Sequence, residues 1–200
     1  MDVWDHLSSG LMLTRYQLIT ICFWLVSELY WGFHARGNKD TVHQQKTFVR
    51  TFAVISVYLA FALIYVPYFS VGFLAVFVVP QNDFFGIAGV LLCGLGISFS
   101  ILSRRTLGKN WSGPATLKKD HELIQRGPYR IVRHPIYFGS LVSITGSALT
   151  TAELRGFCGV FLVLYSLLKK IEEEETLLAT HFEEYAEYGL HVKKLIPFVY

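Results

Sequence analysis

Residues 51–82 read TFAVISVYLAFALIYVPYFSVGFLAVFVVPQN, 32 consecutive positions without Asp, Glu, Lys or Arg. After Asp83, residues 84–103 read FFGIAGVLLCGLGISFSILS, another 20. A soluble domain of this size cannot easily bury such runs, whereas a bilayer core about 30 Å thick needs about 20 apolar residues per crossing helix. Composition agrees: of 200 residues, 52% are hydrophobic and 16% charged, against roughly 25% charged in an average soluble domain. An ordinary soluble globule and a disordered chain are therefore excluded. Glycine is unphased and there are only three cysteines, which excludes a collagen-like repeat and a disulfide-stapled secreted scaffold. The expected class is an all-α integral membrane protein forming a single membrane domain over residues 1–200.

Working outward, apolar runs long enough to cross give about five transmembrane helices. The first is Tyr16 to Phe33, interrupted by Glu28. The second lies within Phe52 to Val79 and exceeds one straight crossing, with Pro67, Gly72 and Pro80 as places to kink or leave the membrane. The third is Phe84 to Ser103. The fourth and fifth, about Ile136 to Thr151 and Gly156 to Leu168, form a hairpin whose turn holds Glu153 and Arg155. Both are short, so the fifth helix is expected to continue past Leu168 with a charged end. Asp2, Asp5 and Arg15 precede the first run and no small-residue cleavage site follows it, so it is expected to stay as a span.

The basic residues test this topology independently, because cytoplasmic loops hold an excess of Lys and Arg. Arg36, Lys39, Lys46 and Arg50 fall between the first two spans. Arg104, Arg105, Lys109, Lys118, Lys119, Arg126, Arg130 and Arg133 fall between the third and fourth, and Lys169, Lys170, Lys193 and Lys194 follow the fifth. With the N-terminus outside, 16 of 18 basic residues are cytoplasmic. The net charge of +3 reads as an orientation signal, and no nucleic-acid partner is expected. Cys22, Cys93 and Cys158 lie singly in the spans and read as packing residues, with no metal expected. Glycines 86, 89, 94 and 96 do not have GxGxxG spacing and read as close helix packing.

Chemistry concentrates in Leu107 to Gly139, LGKNWSGPATLKKDHELIQRGPYRIVRHPIYFG. Gly127-Pro128-Tyr129 and Arg133-His134-Pro135 fix the backbone, and Pro135 suits the first turn of the fourth helix. A rigid approach to a helix N-terminus with Arg133 and His134 beside it can hold a carboxylate or phosphate. The same residues would also serve as an interface anchor. A second cluster, Lys169-Lys170-Ile171-Glu172-Glu173-Glu174-Glu175, leads into Leu178, Phe182 and Tyr185 at i, i+4, i+7, which predicts a C-terminal cytoplasmic amphipathic helix running to Tyr188. Glu174 falls in its apolar stripe with His181 and Tyr188, Glu173 lies at the flank, and Glu172, Glu183 and Glu187 point outward. A carboxylate in an apolar stripe needs a cation or hydrogen-bond donors. Glu174 and Glu173 are therefore site candidates or salt-bridge partners of the basic loop. The two clusters predict a cytoplasm-facing pocket for a ligand with both an anionic and a cationic or hydroxyl-rich part: a dinucleotide, S-adenosylmethionine or a lipid headgroup.

Leu107-Gly108-x-x-Trp111-Ser112, His121-x-Leu123-Ile124-x-x-Gly127-Pro128-Tyr129-x-x-x-Arg133-His134-Pro135-x-Tyr137-x-Gly139, Glu173-Glu174-x-x-Leu177 and Tyr185-x-x-Tyr188, ending near Ile196-Pro197, resemble the isoprenylcysteine carboxyl methyltransferases and the related phospholipid N-methyltransferases. The resemblance covers roughly Leu107 to Pro197, and the first three spans match only in hydropathy. It implies three N-terminal spans over residues 1–103 and a methyltransferase core over residues 104–200 that binds S-adenosyl-L-methionine. The cofactor-binding residues it implies are His121, Glu122, Leu123, Ile124, Gly127, Tyr129, His134, Pro135, Ile136, Tyr137, Glu173 and Glu174. Arg133 and His134 are the implied catalytic pair. Lys169 stands where members that methylate isoprenylcysteine carry an arginine and is the implied acceptor-binding residue. It keeps the charge but loses the bidentate fork. His181-Phe182 replaces the usual Phe-Gly, which suggests a continuous helix at that point.

The expected activity is S-adenosylmethionine-dependent methyl transfer to a lipid-like acceptor entering from the bilayer, with a prenylcysteine-type carboxylate first. A carboxylate needs no general base, whereas an amine must lose a proton, for which His134 or a glutamate is the candidate. Phospholipid or small-molecule N- or S-methylation is the alternative. A NADPH-dependent sterol-reductase-like enzyme would be longer, and a small transporter would need more intramembrane charge than Glu28. Glu28 itself is expected near the cytoplasmic interface or paired with a loop arginine.

Overall fold

A computed structural model describes residues 13–35, 41–44, 47–111, 116–118 and 122–200. Five long helices carry the fold: α1 (Arg15–Ala35), α2 (Thr47–Tyr65), α3 (Asp83–Leu107), α4 (Pro135–Thr151) and α5 (Leu154–His181), followed by the short α6 (Tyr185–His191). Strands β1 (Thr41–Gln44) and β2 (Thr116–Lys118) form an antiparallel ribbon that ties the α1–α2 connection to the segment after α3. Among the described residues, two helices are long and apolar enough to cross a membrane, over Phe48–Tyr65 and Asp83–Asn110.

Local chemistry sets the helix ends. At the start of α1 the Gln17 amide donates to Thr14 Oγ1 at 3.2 Å and the Thr14 amide to Gln17 Oε1 at 2.7 Å, a reciprocal capping box. Helix α2 stops before Pro67, whose predecessor Val66 is extended. Two 3₁₀ turns, Pro67–Phe69 and Gly72–Ala75, then carry the chain to α3. This is where the excess length of the second apolar run goes. Asn82 caps α3 by accepting from the Phe85 amide at 3.1 Å. Pro135 opens α4, as its position in the sequence predicts. The turn to α5 is pinned from outside, because the Val78 amide donates to Ala152 O and the Leu154 amide to Val76 O, both at 2.8 Å.

Helix α4 is central. It packs extensively on α3 and also on α5, while α1 lies against α3 and α2 against α5. The α3–α4 seam depends on glycine. A Cβ on Gly89 would sit 2.6 Å from the Gly146 carbonyl oxygen, and one on Gly96 would sit 2.5 Å from that of Gly139. Backbones this close replace side-chain burial with dispersion and hydroxyl bonds, the packing mode of helices in lipid. Serines fill the seam, and Ser147 also accepts from Trp24 Nε1 at 3.0 Å. Where α2, α4 and α5 meet, Ala60, Ile64, Ile144, Ala148 and Val163 form the apolar core. Leu25, Leu29, Phe33, Tyr58, Leu91, Leu95 and Phe161 project outward, an apolar girdle that suits lipid rather than water.

The two ends of the bundle differ in charge chemistry. At one end Arg155 is buried, bonds Glu153 at 2.5 Å and donates to the carbonyls of Leu63 at 2.8 Å and Val66 at 3.0 Å, thereby capping the C-terminus of α2. At the other end the chain after α5 folds back. Helix α5 ends at His181 and Phe182 is extended, so the continuous helix to Tyr188 expected from His181-Phe182 is interrupted. The break lets α6 turn back over α5, bringing the Tyr185 and Tyr188 hydroxyls onto Glu175 and onto the Tyr129 carbonyl.

Candidate functional site

The segment before α4 is held from both sides. Gly127 has φ +59, a left-handed conformation that favours glycine, and it starts the tight turn Gly127–Arg130 that buries Tyr129. The Tyr129 carbonyl accepts from the Tyr188 hydroxyl at 2.5 Å. Beyond the turn, Val132 lies beside Lys193 in a parallel bridge, and the Arg133 and His134 amides donate to the carbonyls of Lys193 and Lys194 at 2.8 and 2.9 Å. The C-terminal tail thus aims Arg133 and His134 at α5.

They meet carboxylates there. Arg133 donates through Nε to Glu175 Oε1 at 2.9 Å and through Nη2 to Oε2 at 2.6 Å, a fork-on-fork pair. Its Nη1 donates to the carbonyls of Gly189 at 3.1 Å and Val192 at 2.6 Å. His134 Nε2 lies 2.9 Å from Glu175 Oε1 and Nδ1 lies 3.3 Å from Glu174 Oε2. Glu174 also accepts from the Tyr137 hydroxyl, and Glu175 accepts from the Tyr185 hydroxyl at 2.6 Å. The Tyr137 ring stacks on His134 with centroids 5.6 Å apart, and Lys170 Nζ stands 4.9 Å above it.

This arrangement shifts the titration of its members. Burial alone would lower His134, but the bonds to Glu174 and Glu175 outweigh it and raise it above its ordinary 6.5. Burial would raise Glu174 from 4.5, but His134 foremost and then Lys170 hold it down. Glu175 is likewise pulled well below the carboxylate range by His134 and Arg133 against burial. Burial holds the Lys170 ammonium below its ordinary range, with Glu174 opposing. With both ring nitrogens facing carboxylates, the charged form of His134 is favoured, and the ring holds Glu174 in place rather than standing as a free base.

A pH dependence follows. The stabilisation from His134 is complete below about pH 6.5 and fades as pH rises through its raised folded value; that from the two glutamates is complete above about pH 4.5 and fades on acidification. The melting temperature of the wild type is therefore expected to fall more between pH 6.5 and 9 than that of His134→Gln, measured by scanning fluorimetry. Equal slopes would mean that His134 is neutral in the fold.

The cluster forms one wall of a cavity of about 420 Å³. Its polar end has Arg133, His134, Tyr137, Lys170, Glu174 and Asn110, and its apolar end has Trp24, Phe61, Ile144, Val163 and Leu167; Trp31, Trp111 and Tyr129 also line it. Asn110 is buried, and its Oδ1 has no hydrogen-bond partner among the described residues. Of the residues picked from sequence, Tyr129, Arg133, His134, Pro135, Ile136, Tyr137 and Glu174 line this cavity. Glu122, Leu123 and Ile124 run in an irregular stretch outside its wall, and Gly127, at the start of the tight turn, also lies outside it. Glu173 is also outside it, with its Oε2 buried and unbonded among the described residues. His121 lies outside the described residues. Lys169 is half-exposed, pairs with Glu172 at 2.9 Å and does not line the cavity; its neighbour Lys170 does. Arg133 and His134, read as an anion site, are taken up by the chain's own Glu175 and Glu174. Sequence reasoning missed Glu175, Asn110, Lys170 and the α1 tryptophans. The Glu run and the Leu-Gly-x-x-Trp motif were the available signals for the first two.

Residues 84–185 match the family model described as phospholipid methyltransferase, just over half of the chain, and the chain belongs to that family. It is 30% identical over 105 residues to the cobalt-zinc-cadmium resistance protein CzcN of Cupriavidus metallidurans, covering 52% of this chain and 46% of that protein. It is 29% identical over 120 residues to a probable protein-S-isoprenylcysteine O-methyltransferase of Oryza sativa subsp. japonica, covering 58% and 63%. It is 27% identical over 113 residues to the nickel-cobalt-cadmium resistance protein NccN of Alcaligenes xylosoxydans xylosoxydans, covering 55% and 51%. The chain therefore spans between 46% and 63% of the length of these relatives. The resemblance read from Leu107 to Pro197 is met by the family match and by the plant relative.

Proposed function

We propose, from membership of the phospholipid methyltransferase family and the geometry of the cavity, that this chain is a multi-pass membrane enzyme transferring a methyl group from S-adenosyl-L-methionine to a lipid-like acceptor. The observation that carries the reading is one cavity with a charged, hydrogen-bonding end and an aromatic, apolar end. A soluble cofactor suits the first and the tail of an amphiphile the second.

The donor set fits the cofactor. Glu174 suits an ammonium and Lys170 a carboxylate. The orphaned Asn110 Oδ1 can accept from an amine or ribose hydroxyl, and the Trp31, Trp111 and Tyr129 rings offer faces to a base. When bound, the cofactor supplies a methyl group activated by a sulfonium. The protein's part is alignment and electrostatics for an in-line displacement. Arg133 and His134 act by holding Glu174 and Glu175. Glu122, Leu123 and Ile124, which the family resemblance also implies, would cover the cofactor from outside the cavity wall.

The proposed topology has α1 to α5 crossing with the N-terminus outside and the site facing the cytoplasm, residues 104–200 forming the methyltransferase core. It is supported by the basic residues gathered at the site end of the bundle. For the acceptor, the prenylcysteine-type carboxylate implied by the resemblance has to do without Lys169. Incubation of purified protein with methyl-labelled S-adenosylmethionine and a whole lipid extract is expected to yield labelled, organic-extractable product. No label transfer in either detergent or vesicles would overturn the reading.

A further inference from the structure

Residues 66–81 join α2 to α3 and read VPYFSVGFLAVFVVPQ, inside the 32-residue stretch without Asp, Glu, Lys or Arg. A connection lying in water would carry charge or turn its apolar side chains inward. Here Tyr68, Val71, Phe73, Val76, Phe77 and Val78 all project outward, between 50% and 79% exposed. The segment is also fastened down. The Val78 amide donates to Ala152 O and the Leu154 amide to Val76 O, both at 2.8 Å, and Phe77 lies opposite Glu153 in an antiparallel bridge. It forms an apolar ledge on the α4–α5 turn, at the end of the bundle opposite the site.

Two opposed requirements bound its depth in a bilayer. Six large exposed apolar side chains with no charge among them keep it out of water. Its backbone keeps it out of hydrocarbon. The chain is extended at Val66, Val71 and Val76, with only the short 3₁₀ turns Pro67–Phe69 and Gly72–Ala75 between them. Turns this short leave N–H and C=O groups without partners in the chain, and lipid tails cannot satisfy them. Both requirements are met at the boundary between head groups and tails, where aromatic side chains also concentrate. Helix length agrees. With 19 residues in α2 and 17 in α4, the two rise about 28 Å and about 25 Å, close to the roughly 30 Å of a hydrocarbon core. The ledge starts where α2 ends.

We propose that residues 66–81 form an uncharged collar that docks on the lipid interface of the leaflet opposite the site. This rests on the membrane-spanning reading above and adds a specific contact surface to it. The occupant is lipid because the ledge continues an apolar surface on both sides: Tyr58 precedes it on α2, and Phe84 and Ile87 follow it on α3, all exposed. A surface without charge suits a zwitterionic interface. The collar acts as a depth stop. Ala152, to which it is bonded, and His134 stand at the two ends of α4, so a collar held at one interface holds the Arg133–Glu175 network at the other. There a soluble cofactor and a membrane-borne acceptor can both arrive.

Nitroxide labels in phosphatidylcholine vesicles test it, on a background of Cys22→Ala, Cys93→Ala and Cys158→Ala, with oxygen and nickel-EDDA accessibility giving the depth of each label. Leu95→Cys, outward on α3, is the hydrocarbon reference, and Glu187→Cys, exposed on α6, is the water reference. Labels at Phe73→Cys and Phe77→Cys are expected to fall between them, with nickel accessibility at least threefold below Glu187→Cys and at least threefold above Leu95→Cys. Values equal to either reference, or low for oxygen and nickel alike as under a protein partner, would overturn the proposal. A Leu95→Cys label in water would remove the spanning reading, and the collar with it. For the depth stop, Phe73→Ser combined with Phe77→Ser is expected to speed hydrogen exchange of the Val78 and Leu154 amides at least tenfold in the same vesicles. Exchange unchanged from wild type would mean that lipid does not hold the ledge on the hairpin, which overturns the depth stop.

Discussion

Glu175→Ala is expected to be the most destabilising single substitution at the site, lowering the melting temperature by about 6–20 °C and abolishing activity. Glu175 takes both arms of the Arg133 fork, one nitrogen of His134 and the Tyr185 hydroxyl. Removing it leaves two cations facing each other in a largely buried place. Breaking one partner of a buried pair costs about 3–5 kcal/mol, and each kcal/mol is worth roughly 2–4 °C in a chain of this size. Arg133→Met with Glu175→Met, which removes both charges, should recover much of the stability, since replacing a whole buried pair is often neutral. Thermal unfolding of the three variants checks this. A Glu175→Ala protein melting within 2 °C of wild type would mean that the network is solvated and contributes little.

Glu174→Gln is expected to weaken S-adenosylhomocysteine binding at least 100-fold, about 2.7 kcal/mol, while Glu173→Gln stays within threefold. The two differ by one step along α5, about 100° of rotation. Glu174 lines the cavity and is oriented by His134 and Tyr137; Glu173 does not line it. Replacing the Glu174 carboxylate removes the anion that would meet the ligand's ammonium and leaves His134 with one carboxylate instead of two. Calorimetric titration of both variants separates them. Loss of binding in Glu173→Gln with retention in Glu174→Gln would place the ligand on the other face of the helix.

The helices were legible in the sequence because each depends on local signals: charge-free length, the kink at Pro67, Pro135 at a first turn. Much of the site was legible too, since Tyr129 to Tyr137 form one continuous stretch whose glycine and prolines fix the backbone. What could not be read depends on long-range placement. Four consecutive glutamates, 172–175, give no sequence signal for which one meets Arg133. That choice is made by the tail, which pairs residues 133 and 134 with Lys193 and Lys194 and so sets their height against α5. The tyrosines at 185 and 188 kept helical spacing, which hid the break at Phe182 that lets them fold back. Lys169 and Lys170 are equivalent by composition, and only the rotation of α5 sends one to water and the other into the cavity. Glu28 reads from hydropathy as an interruption in a span; only the fold brings it, with Trp24, Trp31 and Val57, to the cavity wall.

The central claim is that the cavity between α1, α4 and α5 is a cofactor site. Isothermal titration of the purified protein with S-adenosylhomocysteine, in detergent and in lipid, tests it most directly. The expected result is saturable binding at one site per chain that is lost in Glu174→Gln. No saturable binding in either medium, from a monodisperse sample, would contradict it.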